Sequence, residues 1–173
     1  LKKNQIVSYI ISGLQYLHNN KVIHRDIKSD NILIKDNIPI ISDFGTCRIL
    51  NEFEYFGNTA IGTPYYLSPE IASGTNHTYQ ADIYSLGCVL CEIYKNKLPY
   101  SGKNIGNLFY NVSKSRMDVY LSNSNIDFLI KRMLDNTPTR RPSINQAQNY
   151  FDTKIYMLNS QTFKKDKKFM ENI

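Results

Sequence analysis

Apolar residues at Ile6, Ile10, Leu14 and Leu17 recur at three- and four-residue steps, which predicts an amphipathic helix over residues 3–19, stopped by Asn19-Asn20. Short apolar runs follow at Val22-Ile23, Ile32-Leu33-Ile34 and Ile38 to Ile41, broken by polar turns. They are too short for helices and β-branched enough for small strands. Residues 43–67 hold Gly45, Gly57, Gly62 and Pro64 with little periodicity and read as one long loop. Such loops in compact domains are usually functional. From Pro69 the helical period returns, and residues 80–95 are apolar nearly all round, as in a helix buried mid-domain. Residues 104–112, 125–134 and 143–155 predict further helices, the last two with Asn125 and Ser143 as N-caps. The expected architecture is mostly α, of α+β type: a helical bundle with a small β-patch that carries two polar loops. Residues 1–157 form the domain and 158–173 a basic polar tail.

Composition narrows this picture little. At 173 residues the chain is long enough for one domain with one core, and its apolar content is ordinary. It holds no run of about 18 apolar residues, so no membrane span is expected. No signal segment opens it, and a start on Leu1 suggests a piece of something longer. The net charge of +6 gathers partly at Lys2-Lys3 and at Lys164, Lys165, Lys167 and Lys168. A basic end can attract nucleic acid or acidic lipid. No aromatic-basic motif accompanies this one, so it reads as a solvated tail and no nucleic-acid partner is expected. Cys88 and Cys91 form a lone CxxC inside an apolar run, without the second ligand pair that zinc needs, and read as helical core. Three cysteines fit a reducing cytoplasmic or nuclear compartment. His18 reads as a helix-end packing residue and His77 as a loop residue.

The chemistry concentrates after Ile23, in His24-Arg25-Asp26-Ile27-Lys28-Ser29-Asp30-Asn31, followed by Asp43-Phe44-Gly45. Phosphoryl transfer needs metal ions held by hard oxygen ligands, a group to orient the attacking hydroxyl, and positive charge near the moving phosphoryl. Asn31 and Asp43 are suitable oxygen ligands at the ends of neighbouring strands, Asp26 can accept a hydroxyl proton, and Lys28 can supply a point charge.

These segments resemble the catalytic loop and the D-F-G motif of protein kinases. The resemblance continues in family order through Gly62-Thr63-Pro64-Tyr65-Tyr66, Ser68-Pro69-Glu70, Asp82-Ile83-Tyr84-Ser85-Leu86-Gly87 and Arg140-Arg141-Pro142, and covers about residues 1–155. It implies the C-terminal lobe of a eukaryotic-type protein kinase that uses ATP and Mg2+. By resemblance, Asp26 is the catalytic base and Lys28 steadies the γ-phosphate. Asn31 and Asp43 hold magnesium, and Leu33 lies under the adenine ring. Phe44, ahead of Gly45, stacks with His24, Asp82 anchors the backbone at His24-Arg25, and Glu70 pairs with Arg141. Lys28 and Thr63 match the serine/threonine pattern, in which the threonine hydroxyl bridges base and lysine, so protein substrates with Ser or Thr acceptors are implied. Asp30 adds a preference for basic residues before the target serine. Arg25 implies activation by phosphorylation, with Thr59 the best-placed acceptor and Arg48 a second cation for it. Cys47 reads as a small filler, with a reactive thiol near the nucleotide as the alternative. Two positions depart mildly from the family pattern: Tyr84 stands where Trp is usual and Ser68 where Ala is usual. The loop HRDIKSDNIL is similar to the p21-activated and sterile-type kinases, GTPYYLSPE to the NIMA-related group, and SDFGTCR to the tyrosine-kinase-like kinases.

The chain contains no G-x-G-x-x-G loop, strand lysine or helix glutamate of an N-terminal lobe, so by itself it is expected to bind ATP poorly and to lack appreciable activity. Three readings follow: a fragment of an active kinase, a truncated non-catalytic lobe acting as a protein-binding module, and a small-molecule kinase that borrows the same loop. Intact Asp26, Asn31 and Asp43 disfavour the second, and the segment from Gly62 to Glu70 disfavours the third.

Overall fold

The first helix of the computed structural model, α1 (Lys3–Asn19), places Val7, Ile10, Ile11 and Leu14 on one buried stripe. Each such side chain taken fully out of water contributes roughly 1.5–3 kcal/mol. The structure describes residues 2–49 and 63–156. Thr59 and the lysine-rich tail lie outside them.

After α1 come β1 (Val22–Ile23), β2 (Ile32–Lys35) and β3 (Ile38–Ile41). β2 and β3 form an antiparallel hairpin with Leu33 opposite Ile40. A further two-residue strand, β4 (Arg48–Ile49), pairs with β1 so that Ile23 faces Arg48. The expected long loop is therefore not featureless. Its described part holds 3-10 turns over Phe44–Thr46 and Pro64–Tyr66 as well as β4. A two-residue strand whose partner lies 25 residues upstream has no periodicity of its own to betray it.

The second half is helical: α2 (Pro69–Ala72), α3 (Tyr79–Lys95), α4 (Ile105–Ser113), α5 (Asn125–Met133) and α6 (Ile144–Phe151). α3 is the axis of the core, with Ile83, Tyr84, Leu86, Cys88, Val89, Leu90 and Cys91 all buried. It packs against α5 and α1, while α6 closes over α1. Gly87 sets the α3–α5 approach, because a Cβ there would lie 2.9 Å from Met133 Cβ and 3.0 Å from Leu134 Cδ2. Cys88 and Cys91 are free thiols within this core.

Two expected helix ends move. The N-cap of α5 is Ser124 rather than Asn125; its hydroxyl accepts from the Asp127 amide. Buried Asp127 also accepts from the amide and hydroxyl of Ser122, which draws residues 122–124 over the helix start and makes Ser124 the cap. Asn125 instead donates to the Lys154 carbonyl. The last helix is α-helical only to Phe151 and widens into a π-helical turn over Asp152–Tyr156. Ser143 caps it as expected, in a capping box with Gln146. No helix among the described residues is long and apolar enough to cross a membrane.

Candidate active site

The β2–β3 hairpin brings the two loops together. Asn31 precedes β2 and Asp43 follows β3, so both stand at the same end of the hairpin, and the Ser42 amide and hydroxyl donate to the Asn31 carbonyl at 2.8 and 3.0 Å. From the other side α3 holds the segment that leaves β1. The amides of His24 and Arg25 each donate to Asp82, both at 2.9 Å, and Asp82 is buried. Arg25 has φ +71°, a left-handed conformation that a non-glycine residue adopts at a cost of order 1–3 kcal/mol. Two successive amides converging on one carboxylate form an anion nest, which offsets that strain.

Asp82 has another partner. His18 Nε2 donates to Asp82 Oδ2 at 2.9 Å, with the His18 side chain nearly inaccessible and its ring 4.8 Å from that of Tyr79. His18 is thus more than a packing residue at a helix end. It ties α1 to the carboxylate that anchors the loop. Nothing in the spacing pointed to this pair, since 64 residues separate its members.

The anchored loop presents Asp26. Its carboxylate receives Lys28 Nζ at 2.7 Å, Asn31 Nδ2 at 3.1 Å and the Thr63 amide at 3.2 Å, and Thr63 Oγ1 lies 3.4 Å from it. Lys28 Nζ also donates to Thr63 Oγ1 at 2.9 Å, so the threonine hydroxyl touches both the Asp26 carboxylate and Lys28. Burial works to raise the Asp26 carboxyl, but Lys28, Asn31 and the Thr63 amide outweigh it and hold the group below the usual carboxylate range. Asp26 is an anion at neutral pH. His24 Nε2 donates to the Ser42 carbonyl at 2.9 Å, which leaves Nδ1 to accept from the Asp26 amide at 3.3 Å.

On the other loop, Asp43 is exposed and also left-handed, with φ +62°. A Cβ on Gly45 would come within 3.3 Å of Asp43 Oδ1, so glycine keeps the space beside that carboxylate clear. The Phe44 ring meets His24 edge-on at 5.7 Å, and Leu33 stands 56% exposed on β2. Arg25 Nε donates to the Thr46 carbonyl. Burial, and then the neighbouring Arg48, lower the Arg25 guanidinium's affinity for its proton. Burial pushes the Cys47 thiol up to about 11, which leaves it unionised at neutral pH and argues against a reactive thiol.

Behind the site, Glu70 and Arg141 form a bidentate pair at 2.6 and 2.7 Å. Arg141 also donates to the carbonyls of Asp135 and Gln80, and its guanidinium lies 4.9 Å above the Tyr84 ring. The aromatic kept at position 84 therefore covers the cation. Ser68, two residues before Glu70, is buried.

Could these residues hold a divalent cation? No group of three or more His, Cys, Asp or Glu side chains stands together among the described residues. Asn31 spends its amide nitrogen on Asp26, with 2.8 Å to the carbonyl and 3.1 Å to the carboxylate, and so offers its Oδ1. That oxygen and the Asp43 carboxylate, cleared by Gly45, make two hard ligands. They suit Mg2+, which keeps much of its shell as water and phosphate oxygen.

A helical lobe whose small β-hairpin sets the loop of Asp26 beside the loop of Asp43 is the C-terminal lobe of a protein kinase. The protein kinase domain family profile matches residues 2–151. The chain is 36% identical over 150 residues to the human serine/threonine-protein kinase Nek5, covering 83% of this chain and 21% of that protein. It is 35% identical over 150 residues to mouse serine/threonine-protein kinase Nek1 (83% and 12%) and 35% identical over 147 residues to the Drosophila melanogaster serine/threonine-protein kinase polo (82% and 25%). The chain thus spans a quarter or less of the length of these relatives. It belongs to the protein kinase family.

Proposed function

We propose that the complete protein transfers the γ-phosphoryl group of ATP to serine and threonine hydroxyls of protein substrates, with this chain supplying the base and the metal ligands. The observation that carries the proposal is the Asp26 carboxylate, ionised and fixed by Lys28, Asn31 and Thr63. Asp26 accepts a hydrogen bond from the acceptor hydroxyl, aims that hydroxyl's oxygen at the phosphorus, and takes the proton as the new P–O bond forms and the bond from the γ-phosphorus to the departing ADP oxygen breaks. Lys28 places a cation beside the phosphoryl oxygens while its contact with Asp26 keeps the two side chains in register. Asn31 and Asp43 would hold Mg2+, which would supply neutralising charge to the phosphate oxygens. Leu33, exposed on β2, would lie under the adenine.

The chain of 173 residues by itself is proposed to lack appreciable activity, because it contains neither a glycine-rich loop nor a strand lysine. The proximity of Arg25 to Arg48 supports control by an anion, and phosphorylated Thr59 is the proposed source. A Thr59→Ala variant of the complete protein that retained full activity would overturn that control.

The function is tested with the full-length gene product, ATP and Mg2+ against peptides that differ only in a Ser, Thr or Tyr acceptor, beside small-molecule alcohols. Phosphate incorporated into the Ser and Thr peptides is expected. Incorporation into tyrosine or small alcohols alone would overturn the proposal.

A further inference from the structure

The base loop and the metal loop leave different strands, and one residue of the metal loop touches the base loop with both of its polar ends. Thr46 closes the 3-10 turn Phe44–Thr46, three residues after Asp43. Its hydroxyl donates to the His24 carbonyl at 2.9 Å, and its own carbonyl accepts from Arg25 Nε. Both contacts fall on the residues immediately before Asp26.

Those residues are held from two sides. Asp82 takes the amides of His24 and Arg25, whereas Thr46 takes the His24 carbonyl and the Arg25 side chain. Arg25 is left-handed there, so the peptide between residues 24 and 25 keeps its orientation only while both sets of partners are in place. The other end of the contact leads to the metal loop. The Cys47 amide donates to the Phe44 carbonyl at 3.1 Å, which makes the turn after Asp43 one closed unit, and a pull on Thr46 reaches Asp43. His24 is buried, so removing the hydroxyl would leave its carbonyl without that donor in a place water reaches poorly.

We propose that Thr46 is a positioning residue that clamps the metal-binding turn to the base loop, so that the Asp43 and Asp26 carboxylates are set relative to one another through its hydroxyl. The role rests on the kinase reading above. Valine at position 46 removes the hydroxyl and keeps the β-branched shape, and serine keeps the hydroxyl.

The test compares full-length wild type, Thr46→Val and Thr46→Ser by amide hydrogen exchange and by steady-state phosphorylation of a serine peptide over a range of Mg2+ concentrations. For Thr46→Val, exchange in segments 24–31 and 43–48 should quicken by about three- to tenfold, the range one lost hydrogen bond supports. Exchange in α3 and α5 should stay at the wild-type rate. Its kcat should fall by a similar factor and its half-saturating Mg2+ should rise, and Thr46→Ser should restore both readouts. Wild-type exchange in both segments of Thr46→Val, acceleration spread evenly over all helices, or failure of Thr46→Ser to restore would each overturn the clamp. A wild-type protein that phosphorylates nothing would sink the kinase reading, while the exchange comparison would still decide the clamp.

Discussion

Replacing Glu70 with Gln removes one charge from a pair whose other member cannot reach water. The Arg141 side chain is wholly inaccessible and that of Glu70 is 14% exposed. In the wild type the guanidinium has two short bonds to the carboxylate, two to carbonyls, and an aromatic ring over its face. Glu70→Gln keeps the volume and can still accept one hydrogen bond, but it leaves the buried cation without a counter-charge. Breaking such a pair costs roughly 3–5 kcal/mol. The carbonyls of Asp135 and Gln80 stay in place and partly solvate the cation, which puts the expected loss near the lower end. For a domain of this size 1 kcal/mol moves Tm by about 2–4 °C, so a fall of about 6–12 °C follows from about 3 kcal/mol. Urea unfolding followed by circular dichroism measures it directly. A loss under about 1 kcal/mol, the value of an exposed pair, would refute the claim that this cation has no access to water.

Three further outcomes follow from the same geometry. Burial works to raise the Asp127 carboxyl, but Lys95 and Ser122 outweigh it and hold it below its ordinary range. A carboxyl depressed on folding contributes stability that is present above its unfolded value, about pH 4, and is lost as pH falls through the folded value. Lys95→Met should therefore shift the onset of acid unfolding to higher pH in a circular-dichroism titration, and an unchanged profile would contradict the pairing. Gly87→Ala should destabilise by about 1–2 kcal/mol, because separating α3 from α5 outweighs the gain of about 1 kcal/mol in helix propensity. A stabilised variant would show that the α3–α5 contact yields freely. Thr63→Ala should raise the midpoint of the Asp26-dependent limb in a pH–rate profile, since the alanine cannot bridge Lys28 to the base. An unmoved midpoint would mean that Lys28, Asn31 and the amide of residue 63 hold Asp26 ionised without the hydroxyl.

The fold was legible where periodicity or burial acted on contiguous residues. Ile6, Ile10, Leu14 and Leu17 mark α1, the all-round apolar run marks α3, and β-branched pairs mark the hairpin that carries Asn31 and Asp43. The candidate site was legible because Asp26, Lys28 and Asn31 share a single eight-residue loop. What stayed hidden depends on contacts between distant segments. His18 and Asp82 meet across 64 residues and Thr46 reaches His24 across 22, and neither histidine nor threonine advertises its partner by spacing. β4 exists only through its pairing with β1. The cap of α5 went to Ser124 because a buried aspartate rearranged the residues before it, an effect local propensity does not contain. The pairing of Glu70 with Arg141 was available from resemblance alone.

Whether Asp26 is the base is decided by single-turnover phosphoryl transfer by the full-length protein and its Asp26→Asn variant, with ATP, Mg2+ and a serine peptide. Asparagine keeps the shape of the base but cannot take the proton, so nucleotide binding should stay within about twofold of wild type while the transfer rate falls at least about 100-fold. Transfer by Asp26→Asn at the wild-type rate would contradict the assignment of Asp26 as the base.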